Sequence, residues 1–222
     1  YLIWVRDGSM TSSLMARAGN PELIKTWTRF LLNNPSVVTK DDGEKVEEFL
    51  QIVGSRWTKS EDDGIFYAAL SLFTYFQTTG RDDLLRGDEF QTLLTAIDYY
   101  IEKVWDAERK MTISDTRGET PLKSNPYFGY DVVNGDFEQN DHHLTDEGKS
   151  ISKSASLYNM VNTYNVMMMA ASMLKQRDDL NNGRVERYQS IADDIQQSIK
   201  TKYVGPDGYL YSEYLQYSDG SD

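Results

Sequence analysis

Cysteine is missing from this chain of 222 residues, which excludes a disulfide framework, a thiolate metal site and a cysteine nucleophile. The absence leaves the compartment open, because secreted bacterial enzymes also do without disulfides; a secreted or periplasmic location is the expectation. Histidine is nearly as scarce, and His142 and His143 are the whole supply. Adjacent histidines rarely ligate one ion and no pair stands at the helical spacing of four, so with Asp141 and Asp146 they read as loop polarity. No metal and no cofactor is expected. Basic residues are outnumbered, 23 Lys and Arg against 35 Asp and Glu, and the resulting formal charge of −12 works against a polyanionic partner such as nucleic acid. No apolar run reaches the roughly 20 residues that span a bilayer; the longest, Val166 to Leu174, is interrupted by Ser172, so no membrane partner is expected. The opening Tyr1-Leu2-Ile3-Trp4 has neither an initiator Met nor a charged-then-apolar leader and looks cut from a longer polypeptide. No internal period is present, which disfavours a helical-repeat interaction module.

What is present is the composition of a soluble globular protein, 39% hydrophobic and 26% charged, long enough for one good core. Aromatics are abundant, with 15 Tyr and 4 Trp, and sugar faces stack well on such rings. Apolar spacing is helical nearly everywhere. From Ile65 to Phe76 it covers most of the circumference, which predicts a buried helix, whereas Asp88 to Trp105 keeps Phe90, Leu93, Leu94, Ile97, Ile101 and Val104 on one stripe. The alternation recurs in the apolar segment Ser154 to Leu174 and the charged segment Arg184 to Lys202. The Met167-Met168-Met169 run in the former reads as core. Upstream, Ser9 to Arg17 and Pro21 to Leu32 are split by Gly19-Asn20-Pro21, a stop, a cap and a proline at the first helical position. Only Gly208-Tyr209-Leu210-Tyr211 suggests a strand. The expected fold class is an all-α array of helical hairpins.

One connection is out of proportion. Asp106 to Ser150 runs about 45 residues with six glycines and prolines and almost no helical stripe, against about 4 to 6 residues for most connections. It carries Tyr127, Tyr130, Asp136, Phe137 and Glu138. Long ordered loops commonly carry function. Glycosidic hydrolysis needs one carboxylic acid to protonate the leaving oxygen and a second carboxylate to activate water or attack carbon. Glu138 beside Phe137 suits the first role, because an apolar wall raises a carboxyl pKa into the range of a general acid; the bland alternative is a solvated loop carboxylate. Arg6 and Asp7 offer donors and an acceptor to sugar hydroxyls with Trp4 as a wall, and equally well form a helix-capping ion pair ahead of a helix starting near Ser9. Asp62-Asp63-Gly64 is likewise either a ligand group or the N-cap of the buried helix.

These residues carry a family resemblance. Tyr1-Leu2-Ile3-Trp4-Val5-Arg6-Asp7 resembles the aromatic, Trp, Arg-Asp signature that opens the catalytic domain of glucoamylases and related six-hairpin glycosidases. Trp57 followed by Asp62-Asp63-Gly64 and an apolar helix is similar to their next segment. Gly148-Lys149-Ser150-Ile151 ahead of Ala155 and Tyr158-Asn159 resembles the helix entrance in the glycogen-debranching relatives, and Asp207-Gly208-Tyr209-Leu210 the turn after the outer helix. The resemblance implies an (α/α)6 toroid with an inverting active site and no cofactor. It implies that Arg6 and Asp7 bind the sugar in the cleavage subsite, that Asp63 lines it, and that Phe137-Glu138 stands for the aromatic-Glu pair holding the general acid. The glucoamylase type has Trp before the acid and the debranching type an Asp near Asp136, so the acid is either Glu138 or Asp136. The general base of the clan comes from the last third of the toroid, and six or seven helices are about half of twelve. The whole chain, 1–222, is therefore expected to be the N-terminal half of a catalytic domain, with the base beyond Asp222 and the remaining half as a partner.

The expected function is an inverting glycoside hydrolase on an α-linked oligosaccharide or polysaccharide, with catalytic Glu138 and Asp136 and substrate-binding Trp4, Arg6, Asp7, Trp57, Asp63, Tyr127, Tyr130 and Phe137. The alternatives are another carbohydrate-active toroid enzyme, a phosphorylase or a polysaccharide lyase, or a non-catalytic carbohydrate-binding helical module. A lyase would draw a base from Tyr127, Tyr130 or His143, against the acidic balance of the chain.

Overall fold

The computed structural model describes residues 3–39, 43–48, 52–53, 64–113, 130–133, 136–139, 151–211 and 213–217. It is mostly helical, as the spacing predicts. Six α-helices occur among the described residues: α1 (Val5–Arg17), α2 (Pro21–Leu32), α3 (Gly64–Thr79), α4 (Asp88–Val104), α5 (Leu157–Leu174) and α6 (Arg184–Lys202). None is long and apolar enough to cross a membrane.

The helix ends follow from local chemistry. At the end of α1, Asn20 N–H donates to Met15 C=O at 2.9 Å and Gly19 N–H to Ala16 C=O at 3.1 Å, with Gly19 at φ +95°. This is a Schellman stop, available because glycine enters the left-handed region without steric cost. Pro21 then opens α2 where its missing N–H is not needed. Gly80, at φ +65°, stops α3. The Ser156 side chain accepts from Asn159 N–H at 3.0 Å and caps α5.

The helices form two rows. In the first, α1 packs on α3 and α3 on α5; in the second, α2 lies against α1 and α3, α4 against α3, and α6 against α5. The first row is mutually parallel, since Val5 and Tyr67, both in opening turns, share one apolar cluster. Tyr67 and Tyr158, again in opening turns, join their hydroxyls at 3.2 Å. At the far ends Arg17, Gln77, Thr78 and Met169 line one groove. The second row runs back. Tyr100, near the end of α4, pairs its hydroxyl with that of Thr163 at 2.9 Å, and Tyr203, just after α6, donates to Ala155 C=O at 2.7 Å, both near the start of α5.

Helix α3 has no charged residue and buries nine of its 16 residues, among them Leu72 and Tyr75 at 0% exposure, so it is enclosed as its apolar circumference predicts. The core then continues through Phe90, Leu93, Leu94 and Ile97 of α4 and Tyr188, Ile191 and Ile195 of α6. One expectation fails on α5. Met167 and Met169 are buried, but Met168 is 42% exposed, as is Val161 two turns earlier. Positions 161 and 168 share a face, and α3 and α6 cover other sides of this helix.

One ionic cluster ties α2 and α3 to the turn after α3, and another ties α4 to α6. Asp83 accepts from Lys25 Nζ at 2.5 Å and from Tyr75 Oη at 2.7 Å, with Arg81 at 3.9 Å. Burial alone would raise the Asp83 carboxyl, but the hydrogen bonds from Lys25 and Tyr75 and the charges of Lys25 and Arg81 outweigh it and hold it at about 2. Burial, then the hydrogen bond to Asp83, pushes the Tyr75 phenol up to about 12. On the other side, Asp98 of α4 accepts from Arg184 at 2.9 Å, Tyr188 at 2.9 Å and Arg187 at 3.3 Å of α6. Burial and the Asp98 charge push the Tyr188 phenol well up.

Short antiparallel pairs, which the spacing does not predict, decorate the helices without changing the all-α class. β1 (Ile3–Trp4) pairs with β4 (Ile52–Val53), β2 (Ser36–Thr39) with β3 (Lys45–Glu48), β5 (Trp105–Asp106) with β6 (Met111–Thr112), β7 (Tyr130–Val133) with β8 (Asp136–Gln139), and β9 (Ile151–Ser156) with β10 (Glu213–Tyr217). Residues 154–156, expected to begin a helix, therefore extend a strand, and α5 starts only where Ser156 caps it. The expected strand at Gly208 to Tyr211 reduces to a single bridge between Val204 and Leu210.

Candidate functional site

The parallel first row puts the opening turns of α1, α3 and α5 at one end of the molecule. Of the candidate residues, Trp4 in β1 and Arg6 and Asp7 in the first turn of α1 lie at this end. β1 leads into α1, its partner β4 lies upstream of α3, and β9 leads into α5. Trp4, through the β1–β4 pair, is registered against Ile52, which ties the entry of α1 to the segment before α3.

Arg6 and Asp7 do not precede the helix. Val5 is its first residue, so both lie in the first turn of α1, with Arg6 half-buried and Asp7 exposed. The capping role ahead of a helix at Ser9 is thereby corrected: Asp7 is a first-turn acid, favourable beside the positive end of the helix dipole and reachable by a ligand. A Cβ on Gly8 would overlap the Trp27 ring, and Trp27 Nε1 donates to Ser9 Oγ at 2.9 Å. Gly8 therefore lets α1 lie close on α2, and Val5, 1% exposed, packs with Leu31 and Tyr67.

Within the disproportionate connection, residues 130–133 and 136–139 form a hairpin. β7 and β8 pair in the register Tyr130 with Gln139, Asp131 with Glu138, Val132 with Phe137 and Val133 with Asp136. Asp136 and Glu138 thus stand two apart on one strand with Phe137 between them, on extended backbone as the sequence reading requires. The signal for this hairpin is Asn134-Gly135 between two short apolar-aromatic runs, the strongest short-range hairpin signature a sequence offers. Trp57, Asp63, Tyr127, His142 and His143 lie outside the described residues. Asp63 directly precedes Gly64, the first residue of α3.

No protein-family model and no curated protein matches this sequence. The chemistry of the end has to be read from its own residues.

Three of these escaped the sequence reading. Tyr67 is 5% exposed and Tyr158 half-buried, and their paired hydroxyls bridge α3 and α5. Asn162, one turn further along α5, is 7% exposed, and its Nδ2 has no hydrogen-bond partner. The signal in the sequence was asparagine at every third position of α5, Asn159, Asn162 and Asn165, since a buried unpaired amide is costly. Along the same row runs a groove of about 410 Å3, with Phe66, Leu70 and Phe73 of α3 below and Arg17, Gln77 and Asn165 around it.

Proposed function

We propose that this chain belongs to the catalytic domain of an inverting glycoside hydrolase built as an (α/α)6 toroid and acting on an α-linked oligosaccharide. One observation carries the reading: three parallel helices, each backed by an antiparallel one, present their opening turns together, and the turn bearing Arg6 and Asp7 is one of them. Three such hairpins are half of a six-hairpin toroid. The first-turn N–H groups of a helix have no intrahelical acceptor, and exposed Asp7 in the first turn of α1 supplies an acceptor for a ligand's hydroxyls.

In this reading Arg6 and Asp7 hold the sugar at the cleavage subsite without moving a proton, since a guanidinium stays charged at any working pH. Asp63 lines the subsite, and Trp4, Trp57, Tyr127, Tyr130 and Phe137 supply faces and walls for the sugar. Glu138 is the general acid, with Asp136 the alternative on the same strand. It protonates the glycosidic oxygen as the bond to carbon breaks, while a second carboxylate, about 6.5–9.5 Å away in an inverting enzyme, takes a proton from the attacking water. That base belongs to hairpins other than those formed by α1 to α6.

Replacement of the acid by its amide tests the assignment in the full-length protein. Glu138→Gln should cut turnover of maltotriose by on the order of 10²-fold or more and cost much less on a substrate whose leaving group needs no protonation. If Asp136→Asn shows that leaving-group dependence instead, the two roles exchange. If neither does, the acid lies outside β8.

A further inference from the structure

The chain leaves α6 into a turn that exposes aromatic side chains at the same end of the molecule as the opening turns of the first row. Tyr203, the first residue after α6, is fully buried and donates its hydroxyl to Ala155 C=O at 2.7 Å, just before the start of α5. From that anchor the chain runs out and back. Val204 bridges Leu210, while Tyr211 N–H donates to Tyr203 C=O at 2.7 Å, Gly205 N–H to Tyr209 C=O at 2.8 Å and Gly208 N–H to Gly205 C=O at 2.9 Å. Gly208, at φ +82°, permits the tight return, and β10 then pairs with β9, the strand that enters α5.

Four large side chains of this turn stay in solvent, Tyr209 at 75% exposure, Leu210 at 62%, Tyr211 at 49% and Val204 at 42%. Single exposed hydrophobics are ordinary, but a contiguous group marks a contact surface. The bridge sorts the four. Residues opposite each other in an antiparallel pair share a face and chain neighbours alternate, so Val204 and Leu210 lie on one face and Tyr209 and Tyr211 on the other. Two residues along an extended chain is about 6.5–7 Å, the scale of one hexose ring. Gly205 belongs to the tyrosine face, and a Cβ there would meet Tyr211 Oη at 2.9 Å, so the glycine lets that ring lie against the backbone. We propose that Tyr209 and Tyr211 form a stacking platform for successive rings of a neutral glucan chain, an outer subsite for long substrates. Aromatic rings cover the apolar faces of sugars while the phenol hydroxyls reach their rims, and the formal charge of −12 turns away a polyanion. The turn is held by its backbone hydrogen bonds before a ligand arrives, so binding loses little ordering entropy. The inference rests on the carbohydrate reading above and adds residues outside the Arg6–Asp7 turn.

Full-length protein with maltoheptaose and maltotriose as probes tests it. Tyr209→Ala and Tyr211→Ala should each weaken maltoheptaose binding and raise its KM about 3- to 10-fold, the range of one aromatic contact, with kcat unchanged and the KM for maltotriose as in wild type. Leu210→Ala, on the opposite face, should change none of these. Should Tyr211→Ala fail to fold, Tyr209→Ala carries the comparison, because Tyr209 is the more exposed. Hydrolysis with an unchanged KM for maltoheptaose in the tyrosine variants removes the platform and leaves the hydrolase standing. An equal loss on both sugars is the mark of a structural role, and an equal loss in Leu210→Ala the mark of a general apolar contact; either removes the platform as well. Maltoheptaose binding that the tyrosine variants alone weaken, without any hydrolysis, supports the platform and removes the hydrolase. Neither binding nor hydrolysis by wild type overturns both.

Discussion

Gly8 decides how closely α1 lies on α2, because only a residue without a side chain lets its backbone rest on the Trp27 ring. Gly8→Ala should therefore destabilise the protein by about 1–3 kcal/mol, the usual cost of overpacking, although alanine is the better helix former; a urea midpoint equal to or above that of wild type would contradict the close approach. Asp83 makes a second residue-scale prediction. Its folded pKa, about 2, lies below the ordinary aspartate value, so its contribution is complete above the unfolded pKa and is lost as the pH falls through the folded one. With the side chain 36% exposed, solvent screening limits that contribution to about 1 kcal/mol. Asp83→Asn should be less stable than wild type at neutral pH and close the gap between about pH 5 and pH 2; parallel stability curves for the two proteins over that range would rule out the linkage. The residue scale was the least legible in the sequence. Gly8 and Asn162 look unremarkable in a string of letters, and their meaning lies in the distant partner each one meets or lacks.

At the scale of elements, legibility followed the number of signals that agreed. The bounds of α2 and α6 come out at Pro21–Leu32 and Arg184–Lys202 as the spacing predicts, although the expected cap Asn20 makes no side-chain cap hydrogen bond and α6 opens after Gly183. Ser154 to Ser156 were read as helix since the apolar pattern does not distinguish a strand entering a helix from the helix itself. The cap does: Ser156 accepts from the N–H three residues on, so the helix cannot start before it. Ser156→Ala should cost about 1 kcal/mol in stability and Ser156→Thr less, measured by urea denaturation; equal midpoints for wild type and Ser156→Ala would place the start of α5 elsewhere. The hairpin of β7 and β8 was missed although Asn134-Gly135 announced it, because a long stretch without helical period was treated as one loop. The misreading did not move the candidate acids. A strand keeps Asp136 and Glu138 two apart, as an extended loop would.

For the whole molecule, the alternation of enclosed and half-exposed helices in the sequence translates into two rows of opposite direction. Direction itself could not be read from periodicity. It emerges from pairs such as Tyr67 with Tyr158 and Tyr203 with Ala155, which connect residues 91 and 48 positions apart. Among the described residues, Met10 and Leu14 of α1 and Val161 and Met168 of α5 remain exposed on that first row, while Phe66, Leu70 and Phe73 of α3 line its groove. That is the architecture from which the hydrolase reading is argued, and its stereochemistry is the most direct test. Full-length protein acting on maltotriose, followed by proton NMR from the first seconds, should release glucose initially as the β anomer, which then mutarotates toward equilibrium. Initial α-glucose would contradict the inverting site, and the absence of any released sugar would contradict the hydrolase.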